Sequence, residues 1–547
     1  MPKLLIQCLL VTIAGSLFLV QPASAAEASG RLVAVDWLEK NLKRDDVLVI
    51  DASFAKMHAA GHIPGAVNVD VFTFGGRQPS TVEMEQLIQS WGVSPGKKIV
   101  LYDQGGTYLA TSLFFDLYYY GVPAENLVVL DGGLAKWQAA GGAVTKDATP
   151  APKRGTFRVA KVKEDVRVKL PEFLAGSGDP TASALVEALD PAQHFGAAKF
   201  FDRPGHIPNA IMMPVADFYN ADKTFKSPEE IRQMLDYMGV KPEQQVYTHC
   251  GGGIAASVPF FAAKFMAGYP RVKLYKESQF EWLRDDRGLP FWTYDAPNIS
   301  REKSWLNGWN NQMLRQFGVS RLSIVDVRPA EAFKQSHVPF AINVPAEVFK
   351  RNLATPAKLA EALGAAGVDV AQEAVIVSDG GLNTDAALAF VMLEKLGQKR
   401  VSVLADSVDD WAFAGLPLNK ASDAPDPKKA PESLFIRPMA YPVSVRAGVV
   451  VDDSQATRGI YPKVYIAAGK SLPAKVPQGK VIHVPYTELV NANGSPKAAK
   501  DIWATLVKAG VPRYAEIISI SDDPGEAAAN YFVLKLMGYP DVKVLVM

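Results

Sequence analysis

The sequence predicts an α/β protein built from four tandem domains, each a parallel sheet with helices on both faces. Short apolar runs rich in β-branched residues, such as IVL at 99–101 and VIV at 375–377, are typical of strands buried on both faces. Helical stretches alternate with these runs, as crossover connections between parallel strands require. One block of this pattern recurs four times, roughly 110 to 135 residues apart.

The first half of each block is an apolar strand that ends near an acidic residue, followed by a loop with a Gly-His-Ile-Pro-like turn. The four copies begin VLVIDASFAKMHAAGHIPGAVNV, ALVEALDPAQHFGAAKFFDRPGHIPNAIMMP, LSIVDVRPAEAFKQSHVPFAINVP and VVVDDSQATRGIYPKVYIAAGKSLP. The second half is a strand, a Gly-rich or acidic loop, a helix, a glycine and a last strand. Trp137, Trp282 and Trp411 follow that last strand in copies one to three, and we predict that they pack in the core.

The repeat sets the predicted domain boundaries at residues 31–147, 168–297, 302–420 and 438–547. The stretch ATPAPKRGTF after the first domain is rich in proline and charge, which is typical of a linker. ASDAPDPKKAPES between the third and fourth domains has the same character. The fourth copy is degenerate and lacks the tryptophan segment.

Composition and charge exclude several classes of protein. The 547 residues are 48% hydrophobic and 21% charged, with a formal net charge of +1. Neither a basic field nor a Lys/Arg cluster is present, so we expect no nucleic-acid binding. No segment after the N-terminus has 18 unbroken apolar residues, which predicts a mature protein without a membrane span.

Residues 1–25 have the pattern of a secretory signal peptide. Lys3 is followed by a largely apolar stretch over 4–20 and by Ala23-Ser24-Ala25, where we expect cleavage. The alternatives are a retained membrane anchor and, for the exported protein, full secretion instead of the periplasmic location that we predict. Cys8 lies within this segment, so the mature chain has one cysteine, Cys250, and no internal disulfide.

Cys250 occupies a loop between a predicted strand that contains Val246 and a predicted helix that starts near Ala255. This strand-to-helix loop lies at the carboxyl edge of the sheet, where ligands bind in α/β folds. Three glycines let successive N–H groups face one point, and the helix N-terminus adds partial positive charge. We therefore predict a nucleophilic cysteine with a lowered pKa; the alternative is a small buried core residue.

Copy two resembles the catalytic half of the two-domain thiosulfate and mercaptopyruvate sulfurtransferases of the rhodanese family. The stretches that carry the resemblance are GHIPNAIMMPVADF, KTFKSPEEIRQMLDYMGV, THCGGGIAAS and YKESQFEWL. Copy one, with GHIPGAVNV and VLDGGLAKW, is similar to their non-catalytic half. Copy three is a shorter match, and copy four resembles the family mainly in its second half.

The resemblance implies a ping-pong transfer of sulfur through Cys250, with small molecules as substrates and no cofactor. The thiolate would take the outer sulfur of thiosulfate or a related donor and pass it from a persulfide to cyanide or a thiol. Cys250 aligns with Asp379 in copy three, and with Asp522 or Asp523 in copy four. In copy one it aligns with Gln104 or Asp103. We therefore expect only the second domain to be active.

The group that holds an anionic donor is less clear from the sequence. The predicted substrate-binding loop residues carry no charge: Gly251, Gly252, Gly253, Ile254 and Ala255. Copy three has Asp326-Val327-Arg328 after its early strand, whereas copy two, as aligned by sequence, has Asp190-Pro191-Ala192. Arg203 is our main candidate for the missing cation; the alternative is that it is a solvated arginine of the loop. Lys276 and Arg284 are secondary candidates.

The histidines suggest structural roles. His249 could tune the thiolate as an imidazolium, but adjacent residues at a strand end point apart, which favours a packed or solvent-facing ring. His62 and His206 are expected to brace the Gly-His-Ile-Pro turns through hydrogen bonds. With only seven histidines and no spaced Cys/His cluster, we predict no metal site.

Three other functions remain for comparison. A Cys-x5-Arg phosphatase needs arginine at the position of Ala256 and is therefore disfavoured. A sulfur carrier would hold the persulfide for a protein acceptor, with the other three domains as a docking platform. A purely structural scaffold would leave the glycine loop at Cys250 without a role.

Overall fold

The described part of the chain folds into four five-stranded parallel sheets, which confirms the predicted α/β class. A computed structural model describes residues 31–74, 78–199, 203–420, 422, 434–452 and 460–546. The signal peptide predicted at 1–25 lies outside the described residues. Within each sheet the strands have the same spatial order, with the first strand at one edge followed by the fifth, fourth, second and third.

The first sheet follows the pattern predicted from copy one. Its strands are β1 Leu32–Val33, β2 Val47–Asp51, β3 Val67–Asn68, β4 Lys98–Tyr102 and β5 Leu127–Leu130. Its helices are α1 Val35–Asn41, α2 Ala55–Ala60, α3 Thr81–Ser90, α4 Leu109–Tyr119 and α5 Gly133–Ala139. The hydroxyl of Ser80 accepts the N–H of Glu83, which caps the start of α3.

The second sheet begins at Arg167, slightly before the predicted boundary at 168. Its strands are β6 Arg167–Val168, β7 Ser183–Glu187, β8 Ala210–Met212, β9 Gln245–His249 and β10 Val272–Tyr275. Its helices are α6 Leu170–Ser177, α7 Pro191–His194, α8 Pro228–Tyr237, α9 Ser257–Phe261 and α10 Ser278–Trp282. Helix α9 continues as a π-helical segment over Ala262–Met266.

The first strand of the third sheet begins at Ser300, two residues before the predicted domain boundary at 302. Its strands are β11 Ser300–Arg301, β12 Leu322–Asp326, β13 Ala341–Asn343, β14 Glu373–Val377 and β15 Arg400–Leu404. The helices of this domain are α11 Lys303–Trp309, α12 Gln312–Gln316, α13 Ala330–Gln335, α14 Ala346–Arg351, α15 Pro356–Ala366, α16 Thr384–Lys395 and α17 Val408–Phe413.

The degenerate fourth copy forms a sheet with the same strand order as the others. Its strands are β16 Val450–Val451, β17 Lys463–Ala467, β18 Lys480–His483, β19 Glu516–Ile520 and β20 Val542–Leu545. Its described helices are α18 Ala499–Ala509 and α19 Pro524–Leu536. None of the described helices of the chain is long and apolar enough to cross a membrane.

The domains pack as two pairs, each through the helices that follow the fourth strand of a sheet. Between the first and second domains, α4 meets α9, where Phe114 and Phe261 lie with ring centroids 5.0 Å apart. Between the third and fourth, α16 packs along α19, where Phe390 and Phe532 lie 4.9 Å apart. This packing brings the loops that precede these helices close to the facing domain.

The three repeated tryptophans lie in the core, as predicted. Trp137, Trp282 and Trp411 are at most 2% exposed. Each indole N–H donates to a main-chain carbonyl, of Ala143, Pro290 and Pro417 respectively. A buried indole needs such an acceptor, so each tryptophan both fills the core and fixes the chain that follows.

Candidate active site

Cys250 lies at the carboxyl edge of the second sheet, immediately after β9. This strand pairs in parallel with β7 on one side and with β10 on the other, so the loops after all three strands meet around the thiol. The side chain is 2% exposed and forms the floor of a cavity. The sequence therefore located this loop correctly.

Main-chain amides surround the sulfur of Cys250. The N–H of Gly253 donates to Sγ at 3.1 Å, and the N–H groups of Gly252, Ala255 and Ala256 also act on it. Gly253 has φ +76°, and a Cβ built on it would lie 1.9 Å from the carbonyl oxygen of Lys276. Only glycine fits this position, because both its conformation and its surroundings exclude a side chain.

The loop after β10 holds the other side of Cys250. Ser278 Oγ accepts the main-chain N–H of Cys250 at 3.1 Å and donates to the carbonyl of Tyr275 at 2.7 Å. The carbonyls of Cys250 and Gly251 accept the N–H groups of Gln279 and Phe280. These bonds fix the direction in which the thiol points.

The prediction of a lowered cysteine pKa is wrong. Burial raises the pKa of Cys250 above its ordinary value, and the four amide N–H groups oppose this effect without cancelling it. The charged thiolate loses water in the interior, and hydrogen bonds to neutral donors replace only part of that hydration. The amides still stabilise whatever charge the sulfur acquires during a reaction.

The cavity above Cys250 has a volume of about 350 Å³ and lies between two domains. Phe72 and Tyr108 of the first domain form one wall. Leu189, Asp190, Val215 and Phe280 of the second domain are among the residues that form the other. Of the predicted substrate-binding residues, Gly251, Gly252, Ile254 and Ala255 line the cavity, while Gly253 donates to the sulfur.

None of the three candidate cations is among the residues that line this cavity. The guanidinium of Arg203 donates to the carbonyls of Trp282, Leu283, Arg284 and Leu289, so it holds the chain after α10. Its predicted role in holding the donor is therefore corrected to a structural one. Its side chain is partly buried by these contacts, so the alternative of a solvated loop arginine is also wrong.

The two secondary candidates have other partners as well. Lys276 is buried and forms an ion pair with Asp116 of the first domain, with Nζ and Oδ1 3.0 Å apart. Arg284 is more than half exposed and pairs with Asp286 at 2.8 Å. The predicted substrate role is therefore not supported for Lys276 or Arg284.

His249 is packed inside the domain, as the strand alternation favoured. The ring is fully buried and lies edge-on to Phe173, with centroids 5.4 Å apart. Burial lowers the pKa of His249 to about 4 despite the nearby carboxylate of Glu187. The ring is thus neutral at neutral pH, and it cannot tune the thiolate as an imidazolium.

Strand register corrects the alignment of Cys250 with the other three domains. Cys250 directly follows β9, and the residues that directly follow the corresponding strands are Asp103, Ser378 and Ser521. Asp379, Asp522 and Asp523 lie further along their loops, so their predicted equivalence is wrong, and Gln104 is excluded in copy one. None of the three corresponding residues is a cysteine, so the expectation of one persulfide site is unchanged.

In the first domain a carboxylate occupies the position of the thiol. Asp103 accepts the N–H groups of Gly105, Leu109 and Ala110 and the hydroxyl of Thr107. A similar set of main-chain N–H groups therefore surrounds a carboxyl side chain in the first domain. The side chain that sits there is inert towards sulfur transfer.

The same register changes the comparison with the Asp-x-Arg segment of the third domain. Asp326 ends β12 opposite Val377, as Glu187 ends β7 opposite His249. Arg328 therefore corresponds to Leu189, not to Ala192 as the sequence alignment had it. An arginine in the third domain is replaced in the second by a leucine that lines the cavity.

A buried charged cluster that sequence reasoning missed lies beneath α7. His194 contacts Glu187 through Nδ1 and Asp295 through Nε2, the latter at 2.6 Å. Burial opposes charge on His194, but Asp295 and Glu187 outweigh it and raise its pKa to about 9. Burial and the charge of His194 lower the pKa of His206 to about 4. Comparing His58 and His62 of copy one with His194 and His206 could have revealed the pair.

The cluster of His194, His206 and Asp295 has the residue types of a metal site, with its three ligand atoms within 4.8 Å of one another. However, the two rings stack with centroids 3.7 Å apart and planes inclined by 3°, so their nitrogens point outward within two parallel planes instead of towards one shared atom, and His194 is protonated at neutral pH. This arrangement fits a charged clamp better than a metal centre.

As predicted, His206 braces its turn, because its Nδ1 pairs with the carbonyl of His194 at 2.8 Å, and His62 does the same with His58.

Comparisons with known proteins identify the family of the chain. A model of the rhodanese-like domain matches residues 34–140, 171–285 and 307–414, which is more than half of the chain. The chain belongs to the rhodanese-like family. The fourth domain, outside these matches, shares its strand order with the other three.

The chain is 29% identical over 281 residues to one curated relative, a probable 3-mercaptopyruvate sulfurtransferase of Pseudomonas aeruginosa. That match covers 48% of this chain and 97% of the relative. The chain is also 28% identical to the sulfur carrier protein TtuD of Thermus thermophilus, and that match covers 46% of this chain and 93% of the relative. A putative thiosulfate sulfurtransferase of Synechococcus elongatus is 31% identical, covering 48% and 85%. These similarities support sulfur transfer as the general activity of the chain.

Proposed function

We propose that this protein is a sulfurtransferase that carries sulfane sulfur on Cys250, from thiosulfate or a related donor to cyanide or a thiol. The single observation that carries the proposal is the set of amide N–H groups around Sγ at the floor of an open cavity. A sulfur bound to Sγ would extend from this floor into the cavity. The relatives, which include mercaptopyruvate and thiosulfate sulfurtransferases, support the same chemistry.

The first half of the reaction loads the cysteine. The thiolate of Cys250 forms a bond to the outer sulfur of thiosulfate, and the S–S bond of the donor breaks. Sulfite leaves with the electron pair, so no oxidant or reductant is needed. The amides of Gly252 and Gly253 stabilise the thiolate that attacks.

The second half returns the enzyme to its starting state. The acceptor attacks the outer sulfur of the persulfide, and the bond between that sulfur and Sγ breaks with its electron pair on Sγ. The amide N–H groups stabilise this leaving thiolate as they stabilised the attacking one. Because Cys250 is both nucleophile and leaving group, the two half-reactions need only one site.

The decisive experiment measures thiosulfate:cyanide sulfurtransferase activity and the intact mass after thiosulfate treatment. We expect the wild-type protein to turn over and to gain the mass of one sulfur. Cys250→Ser should lose both signals. Ser378→Ala changes the corresponding position of the third domain and should keep both. Turnover that survives in Cys250→Ser would contradict the proposal.

A sulfur carrier is the second candidate, and the character of the cavity favours it. No cation lines the cavity among the described residues, and Phe72 and Phe280 at its walls are 47% and 52% exposed. Exposed aromatic rings suit a protein acceptor, with domains one, three and four as a docking platform. A stable persulfide with negligible turnover of small acceptors would favour the carrier over the enzyme.

We also propose that the protein acts in the periplasm, after cleavage behind Ala25. The support is the sequence of residues 1–25 alone. N-terminal sequencing of the protein purified from the periplasmic fraction of its host would test this. A mature chain that starts at residue 26 is the expected result, and an intact Met1 in the cytoplasmic fraction would contradict it.

A further inference from the structure

The cavity above Cys250 carries unbalanced negative charge among the residues described. Its ionisable lining groups are Asp190, Tyr108 and Cys250 itself, and no described lysine, arginine or histidine lines it. Asp190 is exposed, its side chain does not cap α7, and it has no ion pair within the described part of the chain. Its carboxylate is therefore available to a molecule that enters the cavity.

The charge of Asp190 reaches Tyr108, which lines the cavity together with Cys250. Burial raises the pKa of Tyr108, and the charges of Cys250 and Asp190 raise it further. The three groups therefore share one electrostatic environment. An anion in this cavity is opposed by the carboxylate, and a cation is attracted by it.

The third domain has a cation at a position where the second domain has an apolar residue. In the third domain Arg328 donates to Asp326 and lies 3.7 Å from Asp379 in the loop after β14. Leu189 corresponds to Arg328 in the second domain, and it lines the cavity beside Cys250. The fold can thus place a guanidinium near this loop, and the second domain has an apolar side chain there instead.

The remaining walls suit an organic substrate with a cationic end. Phe72, Tyr108 and Phe280 contribute aromatic rings from both domains, and Val215 and Ile254 add apolar surface. Aromatic faces attract ammonium groups within about 6 Å of the ring centroid. A carboxylate next to aromatic rings is the usual chemistry for recognising an amine.

We propose that the acceptor of the persulfide sulfur is an aminothiol, a small organic thiol whose ammonium group pairs with Asp190. This inference rests on the proposed function, because it concerns the second half of the same reaction. The acceptor sulfur, as thiolate, bonds to the outer sulfur of the persulfide, and the bond from that sulfur to Sγ breaks with its electron pair on Sγ. The proton lost from the acceptor thiol is regained on the product persulfide, so the step balances without a redox partner.

The test uses the full-length protein loaded as persulfide with polysulfide, with loading verified by intact mass. Single-turnover loss of the persulfide is then measured with cysteamine, 2-mercaptoethanol and 3-mercaptopropionate, which carry an ammonium, a hydroxyl and a carboxylate. We expect Asp190→Asn to lower the rate of persulfide loss about fivefold with cysteamine and to change that rate less than about twofold with 2-mercaptoethanol. Asp190→Lys should lower the rate with cysteamine further and raise the rate with 3-mercaptopropionate.

Each comparison is made for one thiol on two proteins, so the different reactivities of the thiols cancel. Glu243→Lys is the matched control, because it makes the same change of charge before β9, at the opposite edge of the sheet. Equal effects of Asp190→Asn on all three thiols would overturn the inference while the persulfide and the proposed function stand. Equal effects of Glu243→Lys and Asp190→Lys would do the same. Failure to load a persulfide with any donor would overturn both.

Discussion

Lys276 and Asp116 form an ion pair across the contact between the first and second domains, with Nζ and Oδ1 3.0 Å apart and both side chains less than 10% exposed. Lys276 follows β10, and its carbonyl lies against Gly253 of the cysteine loop. Asp116 lies on α4, the helix that begins one residue after Tyr108 of the cavity wall. The ion pair therefore holds together the two halves of the cavity.

Loss of one partner of this pair should destabilise the domain contact. In Lys276→Met the carboxylate of Asp116 stays buried without its cation, and we expect the unfolding free energy of the first transition in urea to fall by about 3 kcal/mol. The double variant Lys276→Met/Asp116→Leu removes both charges and should recover most of that loss. A double variant as unstable as the single one would contradict this account.

Gly253→Ala tests the amide groups around Cys250. The new Cβ meets the carbonyl of Lys276 at 1.9 Å, so the loop must shift and the N–H to Sγ bond must lengthen. We expect persulfide formation to slow by at least about tenfold, since a lost amide donor of this kind costs more than 1.4 kcal/mol in the transition state. Gly239→Ala is the control, because φ there is +82° but no atom lies within 4 Å of the new Cβ. Comparable rates for both variants would show that the loop geometry does not matter.

The alternation of strands and helices along the chain and the place of the cysteine loop could be predicted from sequence because local patterns encode them. Apolar runs such as residues 375–377 become strands buried on both faces, and glycines after a strand mark a turn at the carboxyl edge. The lone Cys250 in such a turn pointed to the site directly. Even the degenerate fourth copy kept enough of this pattern to be recognised as a domain.

The errors concerned properties that depend on contacts distant in sequence. The glycines of the loops invite alignment of Cys250 with Asp379, but strand pairing decides the register and selects Ser378. The pKa of Cys250 depends on how deeply the loop is buried, which no local pattern reports. Arg203 looked available because its acceptors, the carbonyls after α10, lie about 80 residues away.

The raised pKa of Cys250 predicts a reaction rate that climbs throughout the neutral and alkaline range. With a folded-state pKa above the ordinary value of 9.0, the thiolate fraction rises about tenfold per pH unit between pH 7 and 9. Alkylation by iodoacetamide, followed by intact mass, should show this slope without a plateau. Cys250→Ser gives the background, and a plateau below pH 8 would mean that the amides outweigh burial.

Leu189→Arg should give the cavity the cation that it lacks. Leu189 lines the cavity at the position that corresponds to Arg328, and both carboxylate oxygens of Glu187 are held by His194 and Gln279, so a guanidinium at residue 189 is left for the substrate. We expect kcat/KM for thiosulfate to increase about tenfold, through attraction of the dianion. Leu189→Met changes the side-chain shape without charge and should leave the rate nearly unchanged. Equal effects of the two substitutions would assign the change to packing, and circular dichroism would verify folding in both.

The charged cluster at His194 should make stability depend on pH in a defined direction. The pKa of His194 is raised to about 9 in the folded protein, from an ordinary value near 6.5. Its stabilising contribution is therefore complete below pH 6.5 and is lost as the pH rises through 9. The first domain supplies a partial comparison, because the neutral Thr149 contacts His62, the counterpart of His206, whereas Asp295 contacts His194 and lies 3.7 Å from His206.

Asp295→Thr removes one carboxylate from the imidazolium of His194 and leaves a neutral hydroxyl in its place. We expect the free energy of unfolding to fall by about 2 kcal/mol at pH 6, because a hydrogen bond to a charged group is replaced by one to a neutral group. The decrease should be much smaller at pH 9.5, where His194 is largely neutral in both proteins. Urea unfolding at the two pH values measures the difference. Asp286→Thr, at an exposed ion pair with Arg284, should change stability little at either pH. If Asp295→Thr cost the same at both pH values, the role of Asp295 would be steric, and the charged clamp would have to be abandoned.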